Sequence, residues 1–407
     1  MDFNDTPEEA KFRSEVRGWL EKNAKRKDSG RRAPRDRSEA ALLEAARAWQ
    51  AMKAAAGYAR ITWPREYGGL GGSQIQQVIY NQEEAEFDTP TGFFDIGLGM
   101  CIPTLMAYAK PEHLQRYVEP ALHGKEIWCQ LFSEPAAGSD VAGVRTRAER
   151  DGDGWVINGQ KVWTSGAHYS DYGIIVTRTD PNVPKHQGLT MFFLSMKTPG
   201  VEARPIKQMS GGANFNEVFF TDVRIPDSQR LGAVGDGWKA ALTTLMNERL
   251  AVGMPRGNLD VDDLLALARE TELEDGPAIR NAAVRGKIAD WFVQSQGLKY
   301  TRMRTLTALS KGQTPGPESS IIKIVSAPQL QDLSAFAMEL MGVGGTLLED
   351  IPGAGAWQQQ WIMGAGYRIA GGTDEILRNI VAERVLGLPG DVRVDRDIPF
   401  NKLTQGR

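Results

Sequence analysis

The period of the hydrophobic pattern changes twice along this chain. From Ile127 to about Ile225 apolar and polar residues alternate, whereas on either side apolar residues recur every three to four positions. Period two suits a half-buried strand and period 3.6 one face of a helix, and neither pattern serves the other structure. The expected fold class is therefore mixed α and β. A helical N-terminal domain spans 1–126, a central β-domain of barrel or sandwich type spans 127–236, and a helical C-terminal domain spans 237–407. At 407 residues the chain is long enough to bury a large core in two or three domains.

Local signals divide these blocks. Thr6-Pro7-Glu8-Glu9 is a helix start, with Phe12, Val16, Trp19 and Leu20 at helical spacing behind it. Lys25–Arg37 is a basic, Gly/Pro-broken stretch expected as a solvated linker, with CoA phosphates as its other possible contact. Helices are expected over 38–55, 73–87, 98–109 and 111–122, with a Gly/Pro loop at 61–72. Strands are expected at 127–132, 172–179, 189–196 and 218–225, with hairpin turns at 151–154 and at Asn158-Gly159. Helical segments follow at 238–269, 278–311, 317–340 and 373–386.

Composition excludes several classes. A net charge of −3 favours neither nucleic acid nor an anionic membrane. Cys101 and Cys129 lie in apolar surroundings and are expected as reduced core residues, and four scattered histidines form no metal constellation. The acidic start MDFNDTPEEA has no apolar core, and no apolar run approaches the roughly 20 residues a membrane span needs. A cytoplasmic enzyme is the simplest placement.

The chemistry concentrates where an apolar run with strand character, Ile127–Phe132, breaks at Glu134-Pro135 and passes through two alanines to Gly138-Ser139-Asp140. Such a turn leaves backbone groups unpaired and lets a ligand approach closely, although taken alone it reads as a surface loop. SEPAAGSD followed about twenty residues later by INGQKVWTSG resembles the flavin-binding β-domain signature of the acyl-CoA dehydrogenase family. The resemblance runs over nearly the whole chain. It implies an FAD enzyme that takes a proton from Cα and a hydride from Cβ of an acyl-CoA thioester. It also implies a C-terminal four-helix bundle, with flavin between bundle and β-domain. By resemblance Gln130, Phe132 and Ser133 line the flavin, Gly138 and Ser139 approach the cofactor or the CoA arm, Trp163 packs beside the isoalloxazine and Ser165 donates to it. On the residues alone, Trp163 could equally be a tryptophan of the barrel core.

A second element is AGGTDEILR, residues 370–378, where Gly371-Gly372 is a turn and Thr373 a helix N-cap. The resemblance places Thr373 and Glu375 on FAD, and the Gly371 backbone N–H on the thioester oxygen, where it would stabilise the enolate. Many members carry a catalytic Glu where this chain has Gly371, which cannot accept a proton. The family's alternative base lies on a C-terminal-domain helix, and Glu248-Arg249 matches it. The residues three and four positions from Glu248 include no cation, so a carboxylate there would be a stronger base if desolvated; otherwise it is a hydrated rim residue. Arg249, on another face, is expected to hold substrate or structure.

Two departures concern the bundle. Its usual Arg and Phe-Gly pair is missing from residues 270–286, where Arg280 and Arg285 offer replacement charge, and Glu339 replaces a Gln expected near the FAD diphosphate. A changed partner arrangement, including a hetero-oligomer, would account for both. The leading expectation is an acyl-CoA dehydrogenase with Glu248 as base, passing electrons to an electron-transferring flavoprotein, as a homo- or hetero-oligomer of two or four chains. Glycines at 371 and 372 suit a bulky, branched or ring-bearing acyl group. The alternatives are a non-catalytic partner subunit, or a relative with oxygenase or desulfinase chemistry.

Overall fold

In the computed structural model, residues 5–27, 38–251, 259–311, 313, 316–347, 355–392 and 394–403 are described. They fall into two compact units. One spans 5–208, 212–252 and 392–407, and the other spans 209–211 and 253–391, within the described residues.

The first unit begins with α1 (Pro7–Asn23), β1 (Lys25–Arg26), α2 (Glu39–Ala55), α3 (Gln74–Ala85), β2 (Phe87–Asp88), α4 (Ile102–Tyr108) and α5 (Pro111–Leu122). α1 starts as expected: Glu9 N–H donates to Thr6 Oγ1 at 3.2 Å, and Glu9 Oε2 accepts the Thr6 N–H at 2.8 Å. Phe12, Val16 and Leu20 then share a core with Trp49, Ile79 and Tyr80. Lys25 and Arg26 are not loop but a short strand paired with Phe87 and Asp88, because their backbone finds partners there. Residues 28–37 of the basic stretch lie outside the described residues. The segment expected as a helix from 98 opens instead with a π turn, Gly97–Cys101, which runs into α4.

The sheet comprises β3 (Trp128–Leu131), β4 (Arg147–Asp151), β5 (Gly154–Ser165), β6 (Tyr172–Arg178), β7 (Leu189–Ser195), β8 (Val201–Ile206), β9 (Phe215–Pro226) and β10 (Arg230–Leu231). Its order is β10-β7-β6-β4-β5-β9-β8, and β3 branches off parallel to β6. The sheet curls, so that Trp155, Ile157, Val218 and Phe220 from one end share a core with Leu131, Ile175, Phe192 and Leu194 from the other. Asn158-Gly159 is no hairpin turn. It lies inside β5, where Asn158 exchanges hydrogen bonds with Asp222 at 2.9 and 3.1 Å and Thr146 packs against Gly159 too closely for a Cβ.

α6 (Gly237–Ala251) also belongs to this unit. The fully buried Thr244 and Thr104 hydroxyls meet at 2.8 Å, and Tyr108 reaches Thr243 at 2.9 Å. The end of the chain returns to the sheet's loops. Phe400 N–H donates to Val183 O and Asn401 N–H to Pro181 O, each at 2.9 Å. Lys185 Nζ bridges Asp395 (2.6 Å) and Asp140 (2.9 Å).

The second unit holds α7 (Val261–Glu270), a hairpin of β11 (Glu272–Leu273) and β12 (Gly276–Pro277), α8 (Ala282–Ser310), α9 (Ser320–Leu340), α10 (Ala356–Tyr367) and α11 (Asp374–Arg384). The segment expected as one helix over 238–269 is thus two helices, α6 and α7. α10 was not expected, because its inward positions include glutamines. Gln358 Nε2 donates to the carbonyls of Gly345 and Leu347, each at 2.9 Å. Gln359 Nε2 donates to Ser210 O at 3.2 Å, and Gln360 holds both the N–H (2.6 Å) and the carbonyl (2.9 Å) of Leu259. Among the described residues no helix is long and apolar enough to cross a membrane, and no group of three or more metal-ligating side chains occurs.

Candidate active site

β3 ends at Leu131 and the chain turns out of the sheet. Phe132 is buried and Ser133 half-buried, and their carbonyls are both claimed by β5: Lys161 Nζ donates to Phe132 O at 3.0 Å and Val162 N–H to Ser133 O at 2.9 Å. Glu134 folds the loop back, exchanging backbone hydrogen bonds with Ala137 at 2.9 and 3.0 Å. Its carboxylate accepts from Arg145 N–H (2.6 Å), Thr146 N–H (2.9 Å) and Lys161 Nζ (2.8 Å), and Lys161 is 0% exposed. Burial opposes the charge on Glu134, but Lys161 and these hydrogen bonds outweigh it and hold the carboxyl below its ordinary value. Burial pushes the Lys161 ammonium down, against the pull of Glu134. Neither residue's role was apparent in the sequence, because partners 27 positions apart meet only once the strands are placed.

Beyond the turn, Gly138 and Ser139 are exposed, and a Cβ at Gly138 would meet nothing. The following turn, 141–143, hangs on Arg178, whose guanidinium donates to Ala142 O (2.5 Å) and Lys185 O (2.6 Å) and lies 3.8 Å from the Phe400 ring centroid. Burial lowers that guanidinium to about 10, which leaves it charged at neutral pH.

Trp163 is where the strand departs from regular geometry. The β5–β9 register passes from Lys161↔Val218 to Thr164↔Asn216, so Val162 and Trp163 together face Glu217 alone. This is a bulge, a device that re-aims side chains. Trp163 has φ 59°, a conformation residues with a Cβ rarely adopt, and it is 58% exposed. It is therefore no core tryptophan. Its ring stands edge-on to Phe215 with centroids 6.1 Å apart. Gln130 is half-buried at the end of β3, and Ser165, also half-buried, pairs with Phe215. The structure thus brings Phe132, Ser133 and the bulge at Trp163 together through hydrogen bonds between β5 and the loop after β3.

In the second unit Gly371 (φ 65°) and Gly372 (φ 92°) make a left-handed turn that ordinary side chains would strain. Lys323 donates to the carbonyls of Ala370 and Gly372 on either side of it. Thr373 caps α11, its hydroxyl accepting from Ile376 N–H at 3.2 Å. Glu375 is exposed, and its own backbone N–H and the Thr373 hydroxyl hold its carboxyl below the ordinary value. Asp374 is 3% exposed: Arg368 donates to its Oδ2 at 2.8 Å, while Oδ1 is buried with no hydrogen-bond partner among the described residues. Arg280, Arg285 and Glu339 are exposed. Glu248 and Arg249 lie on the last turns of α6, and their side chains fall outside the described residues.

The residues of the first unit fit a flavin: an exposed indole on a strained bulge offers stacking area, and small residues leave the Gly138-Ser139 turn open. In the second unit, the capped first turn of α11 is of the kind that accepts an oxygen of a ligand.

Comparison with known proteins agrees over the length of the chain. Family models for the N-terminal, middle and C-terminal domains of acyl-CoA dehydrogenase match residues 6–125, 129–223 and 235–386. Acyl-CoA dehydrogenase IpdE1 of Mycobacterium tuberculosis is 38% identical over 389 residues, covering 94% of this chain and 98% of that protein. Among solved structures, the ChsE4-ChsE5 complex of Mycobacterium tuberculosis matches with TM-score 0.81 and 28% identity, over 96% of this chain and 100% of that one. The Tcur3481-Tcur3483 steroid ACAD matches with TM-score 0.79 and 26% identity over the same shares.

Proposed function

The chain belongs to the acyl-CoA dehydrogenase family, and on that premise we propose that it binds FAD and performs α,β-dehydrogenation of an acyl-CoA thioester. The observation that carries this reading is the exposed Trp163 indole, held on a bulge against the loop after β3. Family members depend on FAD, which when bound supplies the acceptor for the Cβ hydride. On this chain Trp163 would stack on the ring system. Gln130, Phe132, Ser133, Gly138, Ser139 and Ser165 would line it, and Thr373 and Glu375 would hold it from the cap of α11.

Glu248 would take the Cα proton. One feature supports it: Gly371 offers no carboxylate at the usual position. The Gly371 N–H would polarise the thioester oxygen, while Ser139 and Arg249 would hold the CoA arm. The three expected domains remain part of the proposal, and the match of three successive family models, over 6–125, 129–223 and 235–386, supports a three-part division.

We infer a bulky, ring-bearing acyl group, because Gly371 and Gly372 add no side chain near the reacting carbons and one structural relative is described as a steroid ACAD. One solved relative is described as the ChsE4-ChsE5 complex, which favours a second reading in which this chain is a non-catalytic partner subunit of a hetero-oligomer. An electron-transferring flavoprotein as acceptor, and a cytoplasmic location, complete the proposal.

Anaerobic titration of the purified protein with a panel of acyl-CoAs tests it. Flavin bleaching is expected with ring-bearing thioesters, and Glu248→Gln should slow it about 10²- to 10⁴-fold. Bound flavin that no acyl-CoA bleaches would overturn the dehydrogenase reading. Protein purified without flavin, which takes it up only beside a partner chain, would establish the second reading.

A further inference from the structure

Along β9 the inward row runs Asn216, Val218, Phe220. Asn216 is 0% exposed, and a buried amide in an apolar row is a local conflict that needs a compensating role. Its backbone pairs with Thr164, the first residue after the Trp163 bulge. Its Nδ2 donates to Thr164 O at 3.0 Å and lies 3.4 Å from Asn214 O. A carbonyl only accepts, so the NH₂ must face Thr164 and Oδ1 must face His168, whose Nδ1 lies 3.1 Å away. His168 is itself held from its other nitrogen by Glu39 Oε1 at 2.8 Å. The Thr164 carbonyl therefore fixes the orientation of the amide.

We propose that Asn216 is a positioning residue for Trp163: its amide pins the downstream side of the bulge and so presents the indole. Upstream, Val162 N–H and Lys161 Nζ are already tied to Ser133 and Phe132. A left-handed residue bearing a large side chain persists only where both flanks are fixed, and Asn216 supplies the second flank.

The proposal rests on the reading of Trp163 as a flavin platform, and its test separates the two. FAD dissociation constants are measured by flavin fluorescence for wild type and Asn216→Ala, and unfolding midpoints for wild type, Asn216→Ala, Trp163→Gly and the double variant without FAD. Asn216→Ala should weaken FAD binding about tenfold, the scale of one lost buried hydrogen bond, and change the flavin circular dichroism. Glycine adopts the left-handed backbone freely, so Asn216→Ala should lower the midpoint less in the Trp163→Gly background. Equal midpoint losses in both backgrounds with unchanged FAD binding would overturn the proposal. A coupled cycle in a wild type that binds no FAD would sustain the positioning role and overturn the flavin reading. If Asn216→Ala does not fold, Asn216→Asp keeps the bulk without the donor, and unchanged FAD binding there would overturn the proposal.

Discussion

Lys161 and Glu134 form an ion pair with almost no access to water, completed by the N–H groups of Arg145 and Thr146 and by Phe132 O. Removing one partner from a buried pair strands the other, at a cost of about 3–5 kcal/mol. Lys161→Met should therefore destabilise the protein by that order in urea unfolding, and weaken FAD retention because Phe132 O loses its donor. The sequence shows SEPAAGSD as a strand break and a small-residue turn, and that much is what the structure has. It does not show why the turn keeps its shape, since the lysine that holds it arrives on another strand. Cys101 and Cys129, expected as reduced core residues, are free and buried, and burial pushes the Cys129 thiol up to about 12. A thiol reagent should label neither in the native protein and both after denaturation.

At the scale of elements, legibility followed the hydrophobic period. β9 was readable from alternation, β6 and β7 as short apolar runs between turn signals, and the starts of α1 and α2 from capping residues, all of them written locally. α10 was not, because Gln358 and Gln360, which look like surface residues, are buried to hold loops. Gln358→Leu would orphan the carbonyls of Gly345 and Leu347. A loss of about 1–3 kcal/mol and faster amide exchange over 342–347 are expected, read by denaturant unfolding and by hydrogen exchange. The Asn158-Gly159 pair failed for a related reason. A sequence that favours a hairpin was overruled by cross-strand bonds to Asp222. The strained backbone at Trp163 left no signature either, since it comes from hydrogen bonds made by Ser133 and Asn216. The expectation that Gly371 stands in place of a base, by contrast, rested on resemblance alone.

For the molecule as a whole, acid should be the effective denaturant. Arg230, Trp155 and Arg150 hold Asp227 well below the ordinary carboxylate range; Arg17 and Arg13 lower Glu83, and Arg13 lowers Asp5. A depressed carboxyl binds fewer protons folded than unfolded. Its stabilisation is complete above its ordinary value of about 4 and is lost as pH falls through the folded value. Unfolding midpoints should hold steady down to that range and then drop, with a shallower drop in Asp227→Asn.

Residues 395–400 impose a different constraint. Phe400 sits over Arg178, and Asp395 shares Lys185 with Asp140, so the loop that carries Gly138 and Ser139 is braced from far along the sequence. During synthesis the sheet emerges from the ribosome long before its brace exists. The nascent β-domain must wait with that loop unbraced until residues 395–400 have been made, which makes their arrival, rather than completion of the strands, the moment at which this loop can take its final form.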